Sequence, residues 1–365
     1  MIKTIGFPGR YIQGPEAISH LPALLAEFGV KSPVIVMDDV VRVAAGDAIV
    51  SPLREAGMVP KVLKFPGECS AEAISNLALE IDSTRDDVII GFGGGKTIDT
   101  AKGLSKAHNL RLIIIPTIAS NDSPTSRLIV LYDAQHRVAG VDILTRNPDV
   151  VLVDTSIIAR APTRFFAAGL GDALSKKFEA KQCYLAGGKN FFGTQSMATA
   201  RLLADRCYET ILEFGLPALL HLKQHGTPDE NVERAIEASV LLSGLGFESG
   251  GLSISHALTR GFTAHSGMSQ FLHGELVAFG SIVQLFAENR PMSEVFSHAR
   301  FCQSIDLPVT LAQLGAPNAT QSEIMDMASL TIAAPYIGNI DPPADAKRIA
   351  TCIKKADELG QNIRG

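Results

Sequence analysis

The feature that most constrains this chain is a change of texture near residue 162. Before it, short runs rich in Val and Ile alternate with helical stretches; after it such runs nearly vanish. The strand-like runs fall at residues 33–38, 61–65, 88–91, 110–116, 128–132, 138–142 and 150–154. Ser70 is placed to cap a helix between the second and third of them. Strands separated by helical stretches spell βαβ units and a largely parallel sheet. Beyond residue 162 the pattern is helical, with long stretches at 195–214, 230–245 and 275–288 and an amphipathic one at 344–359. The expected architecture is an α/β nucleotide-binding domain with a parallel sheet over residues 1–162, followed by an all-α domain over 163–365.

Composition removes several function classes. The formal net charge is −5 and no basic run is visible, which argues against nucleic acid as a partner. No apolar run approaches the roughly 20 residues needed to span a bilayer, and the opening MIKTIGFPGR lacks the apolar core of a signal peptide. A cytoplasmic protein without membrane contact is expected. The five cysteines, Cys69, Cys183, Cys207, Cys302 and Cys352, are odd in number and form no CxxC pair, so reduced thiols are expected in place of a disulfide framework or a cysteine zinc site.

Gly91-Phe92-Gly93-Gly94-Gly95-Lys96-Thr97 follows a strand and opens a helix. Glycines there let a phosphate approach bare backbone N–H groups where the helix dipole favours an anion. Two familiar fingerprints fail by one residue each: a Walker A loop needs glycine where Ile90 stands, and GxGxxG needs it where Lys96 stands. Asp38 ends the first of the strand-like runs. An acid there can bind ribose hydroxyls and repel a 2′-phosphate, favouring NAD; it can equally cap the next helix.

Three residues stand out in the helical half: Asp172, His256 and His273, each among apolar or small neighbours, where a lone polar group is costly without a partner. Two imidazoles and a carboxylate suit zinc with an open fourth position, and also suit ferrous iron. Their wide separation in sequence is unlike an HExxH pair, and a histidine taken singly is more often a satisfied core residue. The other histidines read as mostly superficial, with His265 a candidate for proton relay near His256.

Longer stretches carry a resemblance. Residues Gly93 to Lys102 resemble the nucleotide loop of the iron-type alcohol dehydrogenase superfamily. The stretches 116–124, 169–174 with 178–180, 246–252 and 273–280 are similar to its glycerol dehydrogenase family, as is 8–14 near the start. The resemblance implies a dehydroquinate-synthase-like fold with the active site between its two domains. It implies Asp172, His256 and His273 as zinc ligands and Asp122 at the polyol site. It implies that Asp38, Gly94, Gly95, Lys96, Thr117, Ser120, Ser126, Leu128 and Tyr132 line the NAD cleft. Family members are commonly homo-oligomers, often octamers.

Two residues depart from the family. Iron-type relatives carry a fourth ligand, a histidine, four positions after the aspartate, where this chain has Lys176. A lysine cannot ligate as an ammonium, so three protein ligands remain, the number expected of catalytic zinc. Arg127 replaces a small residue and either points away or, pointing inward, favours an anionic substrate. The implied reaction is oxidation of glycerol to dihydroxyacetone by NAD, with related vicinal diols as further substrates and zinc acting as Lewis acid on the reacting oxygen. The alternatives are a lyase of the dehydroquinate-synthase kind, a dehydrogenase for another hydroxy substrate, and a non-catalytic NAD sensor.

Overall fold

The computed structural model describes residues 2–364. Its strands are β1 (Arg10–Gly14), β2 (Pro33–Met37), β3 (Lys61–Lys64), β4 (Val88–Gly93), β5 (Arg111–Pro116), β6 (Leu128–Tyr132), β7 (Val138–Ile143) and β8 (Val150–Asp154). Six of them form one sheet in the order β1-β8-β5-β4-β2-β3, and every neighbouring pair is parallel. β6 and β7 stand apart as an antiparallel ribbon. The central strands β2, β4 and β8 are buried at every position, as a parallel sheet covered on both faces requires.

Alternate residues of those strands feed two cores. Ile35, Ile90, Ile113 and Leu152 pack with Leu21, Leu25 and Leu53. Val34, Val36, Ile89 and Ile114 face the other way, into a core that continues through Phe178, Ile211 and Phe279 of the helical half. One face of the sheet and the helical half therefore share a single apolar interior.

The sequence pattern places seven of the eight strands. It misses β1, whose Arg10-Tyr11-Ile12-Gln13-Gly14 is too mixed in polarity to read as a strand and is half-buried at the sheet edge beside β8. Among the helices, the stretch expected at 195–214 runs as Ala198–His225 and carries Pro217 inside it. The stretch expected at 230–245 divides into Glu230–Ile236, a π-helical turn at Glu237–Leu242, and Ser243–Gly250. All five cysteines are buried and free. Among the described residues, no helix is long and apolar enough to cross a membrane.

Strand order locates the crevice. From β2 the chain moves outward to β3, returns to β4 on the other side of β2, and continues to β5. The connections after β2 and β4 thus diverge, and open α/β sheets bind ligands beyond the strand ends at such a point. Asp38 follows β2, and Gly94 follows β4.

Candidate active site

The residues expected along the cofactor cleft gather at this end of the sheet. Asp38 is half-buried and caps the helix Asp39–Glu55, its Oδ1 accepting from the Val41 N–H at 2.7 Å. Both readings of the residue meet here, since Oδ1 serves the helix and Oδ2 remains for another donor. Gly94 is the N-cap of the helix Gly95–His108, and Gly94, Gly95 and Lys96 are the half-buried part of the glycine turn. A side chain on Gly95 would meet the Asn121 amide at 2.8 Å, so the bare turn leaves room for Asn121 of the loop after β5. Lys96 pairs with Glu68 at 2.7 Å, and its ammonium lies 4.6 Å from the centre of the Tyr132 ring. The Thr117 N–H donates to the Gly93 carbonyl, tying the ends of β4 and β5 together, and Ser120 is buried in the same loop. Ser126 and Leu128 are held from inside the wall: Lys102 reaches the Ser126 hydroxyl at 3.4 Å and the Leu128 carbonyl at 2.7 Å.

Close backbone approach brings the chemical centre together. Asp172 lies on the helix Thr163–Leu174, where a side chain on Gly169 would come within 1.9 Å of the Ala119 carbonyl oxygen. His273 opens the helix His273–Ala287, where a side chain on Gly274 would come within 1.8 Å of the Ala168 carbonyl oxygen. Glycine at both positions lets the aspartate helix wedge between the loop that carries Asp122 and the helix that carries His273. His256 comes from the helix Ile254–Ala264. The ligand atoms of Asp172, His256 and His273 all lie within 4.8 Å of one another, a spacing that one ion could bridge. The three expected metal ligands do converge.

Glu179, not singled out from the sequence, orients this set. Its Oε2 sits 2.6 Å from His256 Nδ1, while Oε1 accepts the backbone N–H groups of Ser253 and His256. Nδ1 of His256 thus faces Glu179, and Nε2 faces inward, 3.0 Å from the Lys176 ammonium and 3.1 Å from Asp172 Oδ1. Burial pushes the Glu179 carboxyl up, but His256 and Lys176 outweigh it and hold the group below its usual range. Asp172 behaves alike: burial raises it, and Lys176 with the two imidazoles holds it well below the ordinary carboxylate range. Asp122 goes the other way, raised by burial and by the Asp172 charge. Its Oδ2 accepts from the Ser243 hydroxyl at 2.8 Å, at the point where the π-helical turn gives way to the helix Ser243–Gly250. An acid between Phe178 and Ala180 and a serine after an apolar run were the only sequence signals for Glu179 and Ser243.

Lys176 changes the reading of the metal. Its side chain is 0% exposed. The ammonium lies 2.6 Å from Asp172 Oδ1, 3.0 Å from His256 Nε2 and 3.1 Å from Asp122 Oδ2. Burial would lower its pKa, but Asp122, Asp172 and Glu179 raise it instead, so the group is a cation. While the ammonium holds those atoms, the donors left for an ion are Asp172 Oδ2, which is buried without a partner, and His273, which is 45% exposed. Catalytic zinc takes about three protein donors. A dication about 3 Å from an ammonium also meets repulsion of roughly 10 kcal/mol at an effective dielectric of about 20. Zinc does not fit this arrangement. The sequence reading counted Lys176 as a ligand lost; in the fold it is a cation gained.

Two further expectations are corrected. His298 is buried, not superficial, and meets the Ser281 hydroxyl at 2.6 Å. Arg127 points neither into the cleft nor out to solvent: its Nε donates to Glu248 Oε1 at 2.9 Å, Nη2 donates to the Phe191 carbonyl, and its guanidinium covers the Phe192 ring. His265 accepts the Gly267 N–H at 3.2 Å and lies 3.9 Å from Glu323.

A sequence model of iron-containing alcohol dehydrogenases matches residues 8–155. Glycerol dehydrogenase of Citrobacter freundii is 40% identical over 362 residues, spanning 99% of each chain. The chain belongs to the iron-containing alcohol dehydrogenase family. Glycerol dehydrogenase of Thermotoga maritima is 39% identical over 99% of this chain and 98% of that one. The crystal structure of glycerol dehydrogenase from Schizosaccharomyces pombe superposes with a TM-score of 0.95 at 34% identity, covering 100% of this chain and 92% of that one.

Proposed function

We propose that the chain oxidises glycerol to dihydroxyacetone with NAD, and accepts other vicinal diols. The observation that carries this reading is full-length similarity to glycerol dehydrogenases, joined to the position of Asp122, whose Oδ2 meets the same Lys176 nitrogen as Asp172 and His256. In this reading the carbinol C–H gives its hydride to the nicotinamide, and the O–H proton leaves to solvent. Gly94 and Gly95 at the end of β4 would hold the pyrophosphate of NAD, and Asp38 at the end of β2 its adenine ribose. Asp122 Oδ2 is taken by Ser243 and Lys176, which leaves Oδ1 for a substrate hydroxyl. His273 is the member of the ligand set open to the cleft. No step is assigned to zinc.

The lyase reading needs several cations for carboxylate and phosphate. Lys176 is spent on its three acceptors, and Arg127 on Glu248. Residues 1–162 and 163–365 are proposed as the two domains, and a cytoplasmic homo-oligomer, with the octamers of the family as the upper size, as the working form; light scattering measures the latter. The test of function is kcat/KM for glycerol, 1,2-propanediol and 2-propanol with NAD and NADP. Glycerol and propanediol with NAD should lead. Equal efficiency on 2-propanol and glycerol would end the diol reading.

A further inference from the structure

Lys176 is the largest charged group at the centre for which the proposed reaction has no use. Three observations define what it does. Its side chain is fully enclosed, so the ammonium is a fixed part of the site and not a surface group folded inward. Its nitrogen lies within 3.1 Å of three side-chain atoms, Asp172 Oδ1, His256 Nε2 and Asp122 Oδ2. Two of those atoms belong to the residues that would ligate a metal. The orientation of His256 agrees: Glu179 fixes Nδ1, and Nε2, the atom a metal would take, is turned to the Lys176 nitrogen at 3.0 Å.

We infer that Lys176 replaces the resident metal of this site: a cation supplied by the chain itself holds Asp122, Asp172 and His256 in place, and the native enzyme carries no stoichiometric divalent metal there. The lysine is a positioning residue. It is out of reach of solvent and acts through the three side chains it gathers, leaving His273 as the exposed member of the set. The inference holds whichever alcohol is oxidised, because it concerns which cation assembles the site and is read from metal content and not from turnover.

The test is zinc uptake by the full-length protein, dialysed first against chelator and then against micromolar zinc, with metal counted per chain. The unmodified enzyme should retain less than about 0.1 zinc per chain, whereas Lys176→Ala, which frees the donors, should take up about one and gain thermal stability in zinc. Adding His256→Ala to that variant should abolish the uptake, which ties the ion to this site. A purely structural lysine would leave metal uptake unchanged when removed. Lys176→Ala that folds and binds no zinc overturns the inference. Should that variant not fold, the unmodified enzyme decides alone: about one tightly held zinc per chain, lost on His256→Ala, overturns the inference, and less than about 0.1 upholds it.

Discussion

Two lysines among the described residues are wholly buried, one in each half, and they are buried for different purposes. Lys102, on the helix that follows the glycine turn, reaches Asp99 Oδ1 at 3.0 Å, the Ser123 carbonyl at 2.8 Å, the Ser123 hydroxyl at 3.0 Å and the Leu128 carbonyl at 2.7 Å. Three of those four partners are neutral, and two are backbone. Lys176 reaches two carboxylates and an imidazole, with no backbone carbonyl among them. A cation held by carbonyls and hydroxyls fastens chain to chain; here it pins the segment from Ser123 to Leu128 to the helix Gly95–His108. A cation held by titratable side chains gathers groups that can do chemistry. Burial alone does not separate the two roles, because both side chains are 0% exposed; the partners do.

The largest effect that can break this contrast is on Lys102. Lys102→Met leaves Asp99 without its ion pair in the interior and should cost about 3–5 kcal/mol, read by denaturant unfolding. A loss below about 1 kcal/mol would mean the pair is not structural. Arg127→Ala breaks another enclosed pair, with Glu248 1% exposed, and should destabilise by about 2–4 kcal/mol. Relative kcat/KM values over glycerol and a 2-hydroxy acid should stay the same, because the guanidinium lies outside the cleft; a shift in that ratio would restore Arg127 as a specificity residue. Among the side chains that Lys176 gathers the effects should be on turnover. Asp122→Ala should lower kcat/KM for glycerol at least about 10²-fold more than for 2-propanol, since a hydroxyl-binding site discriminates through its polar groups. Equal losses on both substrates would place Asp122 outside the substrate site.

Much of this contrast was legible in the sequence and some was not. The parallel sheet was readable because β2, β4, β5 and β8 are apolar runs buried on both faces. β1 was not, because an edge strand needs no such run. The ligand set Asp172, His256 and His273 could be assembled from family motifs. The position of the Lys176 ammonium could not, since a spacing of four residues from Asp172 says nothing of which way a flexible side chain turns. Ser175, itself in the right-handed helical region, joins the helices Thr163–Leu174 and Lys176–Leu185, and Lys176 reaches Asp172 one turn back at 2.6 Å. Glu179 was hidden for a related reason: its partners Ser253 and His256 are over 70 residues away.

The smallest predicted effect concerns Asp38, where the cap and the ribose contact are separable. Asp38→Ala should lose about 1 kcal/mol of stability from the helix cap and raise the NADP-to-NAD efficiency ratio about 10-fold. Asp38→Asn keeps the cap and removes the charge, so it should keep the stability and still relax the cofactor preference. If Asn leaves the preference intact, Asp38 is a cap and nothing more.

The contrast between the two lysines rests on Lys176 standing where the family's metal would stand, and one measurement on the unmodified enzyme reaches that claim directly. NAD reduction with glycerol is followed before and after exhaustive chelation, with metal determined on the same sample. The account predicts that turnover survives at less than about 0.1 divalent metal per chain. Loss of turnover on chelation, restored by one zinc per chain, would contradict it.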